Sequence, residues 1–312
     1  MPDIIITGFI DPEPVERLKA RYEVHLDENL WQKPDALNEL VRDAKALIVR
    51  NRTQVSQAIL DAGPGLKAIG RLGVGLDNID VAACKKRDIA VLPAFGVNAR
   101  SVAEYVLGTS LMLLRGSAYV GASRLVVGEW PRAEMGQGRE AETRTMGLIG
   151  FGSIGRVTAG LARATGLATI AYDVQLQTGT TVEDTRLVDL ATLLASADVV
   201  TLHCPLTPDT RNLIGAKELA AMKSGAILIN TARGGIIDEP ALADALRSGH
   251  LGGAAVDVFS AEPITRDIGV LFASLQNVVL TPHIAGITVE SNARTSALTV
   301  DNVLRTLAEV GL

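Results

Sequence analysis

The sequence predicts an α/β protein of two doubly wound parallel-sheet domains, and three observations predict it. Short apolar runs such as Ile4-Ile5-Ile6, Ala46-Leu47-Ile48-Val49 and Leu66-Lys67-Ala68-Ile69-Gly70 alternate with helix-period stretches such as 12–21 and 34–43. That is the punctuation of βαβ units. The runs are nearly all apolar rather than alternating, as strands covered by helices on both faces must be. The pattern also occurs twice, with a change of texture after Val91-Leu92-Pro93 and a second series opening at Thr145.

In chain order, the first series ends where residues 101–114 form a long helical pattern, followed by a Gly- and charge-rich passage at 128–143 that reads as a crossing between domains. The second series places strands at 145–149, 168–172, 198–202, 226–230, 253–256 and 278–280. Six strands make a full dinucleotide-binding set. The amphipathic stretch 289–307 has no strand of its own and is predicted to pack back on the first domain.

Composition narrows the function. With 312 residues, 47% of them hydrophobic and 21% charged, the chain has the apolar mass for one or two domains. Its 30 Lys and Arg against 35 Asp and Glu give a net charge of −5, with no basic block. Neither a nucleic acid nor an anionic membrane surface is an expected partner. The two cysteines, Cys84 and Cys204, match no metal-ligand spacing and suggest no disulfide framework, so no metal is expected and a cytoplasmic setting is. Residues 1–6 lack the basic start and long apolar stretch of an export signal. The uncharged run near 268–289 contains Gln276, Asn277, Pro282 and His283, and reads as strand and loop rather than a membrane span.

The chemistry begins at Gly150-Phe151-Gly152-Ser153-Ile154-Gly155, which follows an apolar strand and opens a helix. Gly150 permits a tight turn, Gly152 lets a pyrophosphate approach the backbone, and Gly155 lets helix and strand pack closely. Asp173 closes the next strand, where an acid accepts hydrogen bonds from ribose hydroxyls and repels a 2′-phosphate. NAD is therefore the expected cofactor. Three later segments carry ionisable residues just past strands: Arg233, Glu262 and His283. All three fall on the rim where open α/β sheets bind ligands. A guanidinium holds a carboxylate in bidentate fashion, and a His paired to a carboxylate suits acid/base work near neutral pH.

Several stretches together resemble the D-isomer-specific 2-hydroxyacid dehydrogenase family over essentially the whole chain. They are Gly73-Val74-Gly75-Leu76-Asp77-Asn78-Ile79-Asp80, Ser101-Val102-Ala103-Glu104, the glycine motif, His203-Cys204-Pro205-Leu206-Thr207, residues 230–238, Asp257-Val258-Phe259 with Glu262-Pro263, and Thr281-Pro282-His283-Ile284-Ala285-Gly286. The resemblance implies Arg233 as substrate anchor, His283 as proton donor or acceptor, and Glu262 as its partner. It implies cofactor contacts from Ser153, Ile154, His203, Pro205, Thr231, Ala232 and Asp257 beside the glycines. The Val74 and Gly75 N–H groups would bind the substrate carboxylate, in a turn expected to enter a helix from Leu76. It also implies a Rossmann NAD domain at 99–285, inserted in a flavodoxin-like substrate domain of 1–98 plus 286–312, and a homodimer with contacts from the helix at Ser101 and the loop near Trp130.

Basic residues on the substrate side bear on which acid reacts. Arg50 and Arg52 follow the strand at 46–49, and Arg71 precedes the carboxylate loop. Arg50 and Arg71 match positions where phosphoglycerate dehydrogenases hold phosphate, and the set resembles that of sulfolactate dehydrogenases. The expected substrate is a small 2-hydroxy acid with a second anion, either 3-phosphoglycerate or sulfolactate. The alternatives are reduction of simple keto acids such as hydroxypyruvate and glyoxylate, and an NAD-sensing corepressor-like binding role. Glu262 favours a hydroxy acid over formate, since formate dehydrogenases carry Gln there. Residues 92–98 and 138–145 depart from the usual family pattern. Cys204, beside the cofactor strand, reads as a packed thiol.

Overall fold

Strand β1 (Ile4–Ile6) is buried at every position, which is why its neighbours must supply apolar partners on both sides. It pairs in parallel with β2 (Val24–Leu26) and β3 (Ala46–Val49), and the sheet continues through β4 (Ala68–Arg71) to β5 (Ala90–Pro93). The order β2-β1-β3-β4-β5 is the flavodoxin-like winding, in which the chain reverses direction between β1 and β3. Strand β2 is a partly exposed edge of three residues, too short and mixed to stand out as an apolar run. The computed structural model describes all 312 residues, and residues 1–98 with 287–312 form this first compact unit.

Two apolar clusters cover the sheet. One joins Ile5, Leu47, Val49 and Ile69 to Leu37, Leu60 and Cys84. The other joins Ile4, Ile6, Ile48 and Leu72 to Val300, Val303 and Leu307 of the C-terminal helix Val289–Glu309. Each such buried aliphatic contributes about 1.5–3 kcal/mol. That helix lies so close to β4 that a Cβ on Gly70 would sit 2.9 Å from Val303 Cγ2. The predicted return of this amphipathic stretch to the first sheet is what the packing shows.

Residues 99–286 form the second unit. Gly286 thus falls with this unit, one residue later than the boundary expected from sequence. Its sheet runs through β6 (Thr145–Ile149), β7 (Ala168–Tyr172), β8 (Thr181–Val182), β9 (Thr185–Leu187), β10 (Val199–Leu202), β11 (Ala226–Asn230), β12 (Leu251–Val256) and β13 (Val278–Leu280), in the order β13-β12-β11-β10-β6-β7-β9-β8. Where the apolar pattern predicts six strands, there are eight. The added pair is short and partly polar: β9 meets β7 at only two registered positions, and β8 turns back on it antiparallel. The helix Ala99–Leu114 lies beside Ser153–Ala164 over this sheet, through Val102, Val106, Ala159 and Ala162. The passage 128–143 lies wholly within this unit and carries a short helix at Arg132–Met135. No helix is long and apolar enough to cross a membrane. The uncharged run near 268–289 is the end of a short helix, β13 and loops.

Candidate active site

The winding of the second sheet reverses between β6 and β10, so the crevice beyond β6 is where a ligand is expected. The glycine turn sits there. Gly150 has φ of +94°, and a Cβ on it would stand 2.8 Å from the Cys204 backbone nitrogen. A Cβ on Gly155 would stand 2.5 Å from Gly150 O. Those two glycines are dictated by packing, but a Cβ on Gly152 meets nothing within 4 Å, so folding alone does not require it. The helix Ser153–Ala164 begins directly after Gly152 with no side-chain cap on its first turn, which leaves N–H groups for an anion. Asp173 Oδ2 accepts the Phe151 N–H at 2.7 Å and Oδ1 accepts that of Gln175 at 2.9 Å.

The remaining residues predicted to meet the cofactor are less uniform. The Thr231 hydroxyl oxygen is buried and has no hydrogen-bond partner. The Ala232 N–H is taken by Asn230 Oδ1 at 3.0 Å. His203 donates its backbone N–H to Ile149 O at 2.7 Å, its ring Nε2 lies 3.2 Å from Thr201 Oγ1, and burial pushes the imidazole pKa down to about 3. It is therefore neutral. Burial pushes the Cys204 thiol up to about 11, which rules against a thiolate at neutral pH, and Pro205 is exposed. A turn with one unobstructed glycine, an uncapped helix start, an acid beyond the next strand and an orphaned hydroxyl fit a dinucleotide.

Asp257, expected among the cofactor contacts, has a task within the protein itself. It is 1% exposed, and its carboxylate accepts Thr281 Oγ1 at 2.6 Å, the Ile284 N–H at 2.8 Å and the Ala285 N–H at 2.9 Å. Its backbone oxygen takes the His283 N–H at 2.8 Å. Asp257 therefore shapes the loop past β13, in which His283 has φ of +58°.

Three strand ends bring Arg233, Glu262 and His283 together. After β11, Asn230 Nδ2 donates to Arg233 O at 2.9 Å, so one side chain pins the turn. Gly234 follows because a Cβ there would fall 1.8 Å from Phe259 O, an overlap that no other residue avoids without moving the backbone. After β12, the buried Glu239 accepts the Ser260 N–H and hydroxyl, both at 2.7 Å, and so fixes the turn leading to Glu262. Glu262 Oε1 accepts the Phe259 N–H at 3.1 Å, and Oε2 stands 2.6 Å from His283 Nδ1. Burial works to raise the Glu262 carboxyl pKa, but the hydrogen bond and charge of His283, the Phe259 N–H and the charge of Arg233 outweigh it and hold it below the usual value. An ionised Glu262 only accepts, so Nδ1 carries the hydrogen and Nε2 is left for proton transfer.

In the first unit, the Val74 and Gly75 N–H groups donate to nothing in the protein. They do not enter a helix at Leu76 as expected. The helix starts at Val81 and is capped by Asp80, whose Oδ1 accepts the Ala83 N–H at 2.8 Å. Arg71, expected to face an anion, is 9% exposed and braces this loop instead: Nε donates to Gly75 O at 2.8 Å and Nη1 to Leu72 O at 2.6 Å. Arg50 donates from Nε to Phe9 O at 2.8 Å and from Nη2 to Asn292 Oδ1 at 2.9 Å, and burial lowers its pKa against the opposing charges of Asp11 and Glu28. Arg52 is exposed and lies over the Trp31 ring, 4.9 Å from its centre. No carboxylate forms a salt bridge with Arg50 or Arg52. The loop carrying them is tied down by Asn78, whose Nδ2 donates to Arg50 O at 2.8 Å and Thr53 O at 2.7 Å. Asn78 and Asn230 lie in stretches that carry the family resemblance but have no role assigned there, and Glu239 lies in none, because their partners lie in other loops or in turns whose shape no spacing rule foretells.

The sequence profile of the D-isomer specific 2-hydroxyacid dehydrogenase NAD-binding domain matches residues 107–285. The chain belongs to that family, and it is an NAD-dependent oxidoreductase acting on 2-hydroxy acids. It is 48% identical over 309 residues to (S)-sulfolactate dehydrogenase of Chromohalobacter salexigens, covering 98% of this chain and 99% of the relative. It is 40% identical over 299 residues to hydroxypyruvate reductase of Thermotoga maritima, covering 96% of each. Among solved structures, D-lactate dehydrogenase of Aquifex aeolicus complexed with NAD and lactic acid matches with a TM-score of 0.82 at 28% identity, over 98% of this chain and 95% of that one.

Proposed function

We propose that the protein interconverts a three-carbon 2-hydroxy acid bearing a second anionic group with the corresponding 2-keto acid, sulfolactate or 3-phosphoglycerate being the substrate class. The carrying observation is the pair of guanidiniums at the end of β3, Arg50 and Arg52, neither neutralised by a carboxylate. The likeness to a sulfolactate dehydrogenase supports the same reading.

Gly152, the first turn of the helix from Ser153, Asp173 and Thr231 would hold NAD, which when bound supplies the acceptor for the hydride leaving C2. The chain's own residues do the rest. In oxidation His283 Nε2 takes the hydroxyl proton as the C2–O bond gains carbonyl character, and the imidazolium is stabilised by Glu262 through Nδ1. Arg233 holds the carboxylate and the developing carbonyl oxygen. Within the first unit, the Val74 and Gly75 N–H groups are the donors assigned to a carboxylate, Arg71 holds their loop in shape, and Arg50 and Arg52 are the cations assigned to the distal anion. In reduction His283 begins protonated and returns the proton to the oxygen.

The test is NADH formation with sulfolactate enantiomers, 3-phosphoglycerate, D-glycerate and D-lactate. A strong preference for a dianion supports the reading. Equal or better rates with glycerate or lactate replace it with the simple hydroxypyruvate or glyoxylate reductase role. Cofactor binding without turnover of any of these acids or their keto forms favours a corepressor-like protein. Self-association is proposed for the apolar surface of Tyr119, Val120, Val126, Val127 and Trp130, with Val126 86% and Trp130 79% exposed. Sedimentation of Trp130→Glu, expected to be monomeric, checks it.

A further inference from the structure

Trp31 belongs to none of the motifs, yet its placement is specific. It stands on a single 3-10 turn, Leu30–Gln32, after β2. The turn is held firmly: Leu30 is 1% exposed, its N–H donates to Asp27 O at 3.1 Å, and the Asp27 carboxylate takes the Asn29 N–H at 2.9 Å and the Lys33 ammonium at 2.8 Å. The backbone that carries the indole is thus held in place.

Strands β2, β1 and β3 are sheet neighbours, so their C-terminal ends set three loops side by side: Trp31 on one, Gly8 and Phe9 on the next, Arg50 and Arg52 on the third. The winding reverses between β1 and β3, which makes this the switch-point end of the first sheet. Arg50 is built into it. Its stem occupies the space a Cβ on Gly8 would need, 3.1 Å from Arg50 Cγ, and its guanidinium lies 5.4 Å from the centre of the Phe9 ring. Arg52 has no hydrogen bond and no ion pair, and the indole beneath it is what restrains it. A guanidinium stacked by its face keeps its N–H edge free for the oxygens of a tetrahedral anion.

We propose that Trp31 is a specificity-determining residue. By stacking on Arg52 it presents that guanidinium's edge beside Arg50, so that the pair selects substrates with a sulfonate or phosphate over otherwise identical acids without one. This rests on the reading that Arg52 takes the substrate's second anion. Trp31 acts through Arg52 and touches no reacting atom.

The experiment compares Trp31→Leu, Trp31→Phe and Arg52→Ala with the wild type in NAD-dependent oxidation of sulfolactate, 3-phosphoglycerate and lactate. Calorimetric titration of the NADH-loaded protein with the same acids reads affinity independently of turnover. For Trp31→Leu, KM and Kd for the preferred dianion rise about tenfold, kcat stays within about twofold, and lactate parameters do not move. Trp31→Phe keeps a ring and stays within about threefold of wild type. If Arg52→Ala leaves dianion affinity unchanged, the reading of Arg52 falls and the inference with it. If Arg52→Ala weakens the dianion but Trp31→Leu does not, or Trp31→Leu weakens lactate and dianion equally, the inference alone falls. The sulfonate and phosphate arms show which anion the pair prefers.

Discussion

Replacing Glu262 by Gln removes the charge opposite His283 and leaves one amide oxygen where the carboxylate offered two, so the variant gives up the ion pair together with either the Phe259 N–H bond or the His283 Nδ1–H bond. The two side chains are 31% and 38% exposed, and solvent screening must be allowed for. Unit charges about 4 Å apart are worth about 1 kcal/mol in a water-like dielectric, and more in the less polar surround of a partly buried pair. The imidazolium that forms as His283 takes the hydroxyl proton loses that support in Glu262→Gln, so kcat/KM for oxidation falls at least about fivefold. Rates of NADH formation by wild type and variant measure it, with NADH affinity read by fluorescence as the control. An unchanged kcat/KM refutes the pairing.

Three further outcomes are expected. His283→Ala loses about 10²–10⁴ in kcat while NADH affinity, read by fluorescence, is unchanged; retained turnover removes His283 from the reaction. Gly150→Ala, at φ +94° and against backbone, costs about 1–3 kcal/mol of stability and lowers Tm, whereas Gly152→Ala keeps Tm and weakens NAD binding; the reverse pattern sinks the assignment of the turn. Arg71→Ala loosens the Val74–Gly75 loop by removing two charged hydrogen bonds, about 1.5–3 kcal/mol each. It raises KM for every 2-hydroxy acid alike, unlike Arg52→Ala, which acts on dianions only. Stability against acid has its own sign: Glu262 sits below its ordinary value of 4.5, so its contribution is present above that value and is lost as pH falls through the lowered one.

The gathering of Arg233, Glu262 and His283 was legible in residue order, because strand ends in an open parallel sheet share one rim. Arg233, Glu262 and His283 each follow such a strand, and the side-chain contact between the last two is direct. Less legible were the residues that hold them. Asn230 pins a turn three residues away, Glu239 reaches Ser260 from the start of a helix, and Asp257 secures a loop beyond the next strand. A buried carboxylate between loops has no periodicity.

The apolar runs by themselves pointed to parallel sheets covered by helices, since strands buried on both faces need cover on both, and the change of texture after residue 93 pointed to two of them. The glycine spacing marked where a dinucleotide belongs. Which charges are available for a ligand was decided only in three dimensions. Arg50, Arg52 and Arg71 look alike as three arginines near strand ends, but one is half-buried on Phe9 and Asn292, one is exposed on Trp31, and one is turned inward to its own loop. A guanidinium's role depends on whether its five donors are already spent, and that is set by carbonyls and rings brought close by folding, not by its neighbours in the chain.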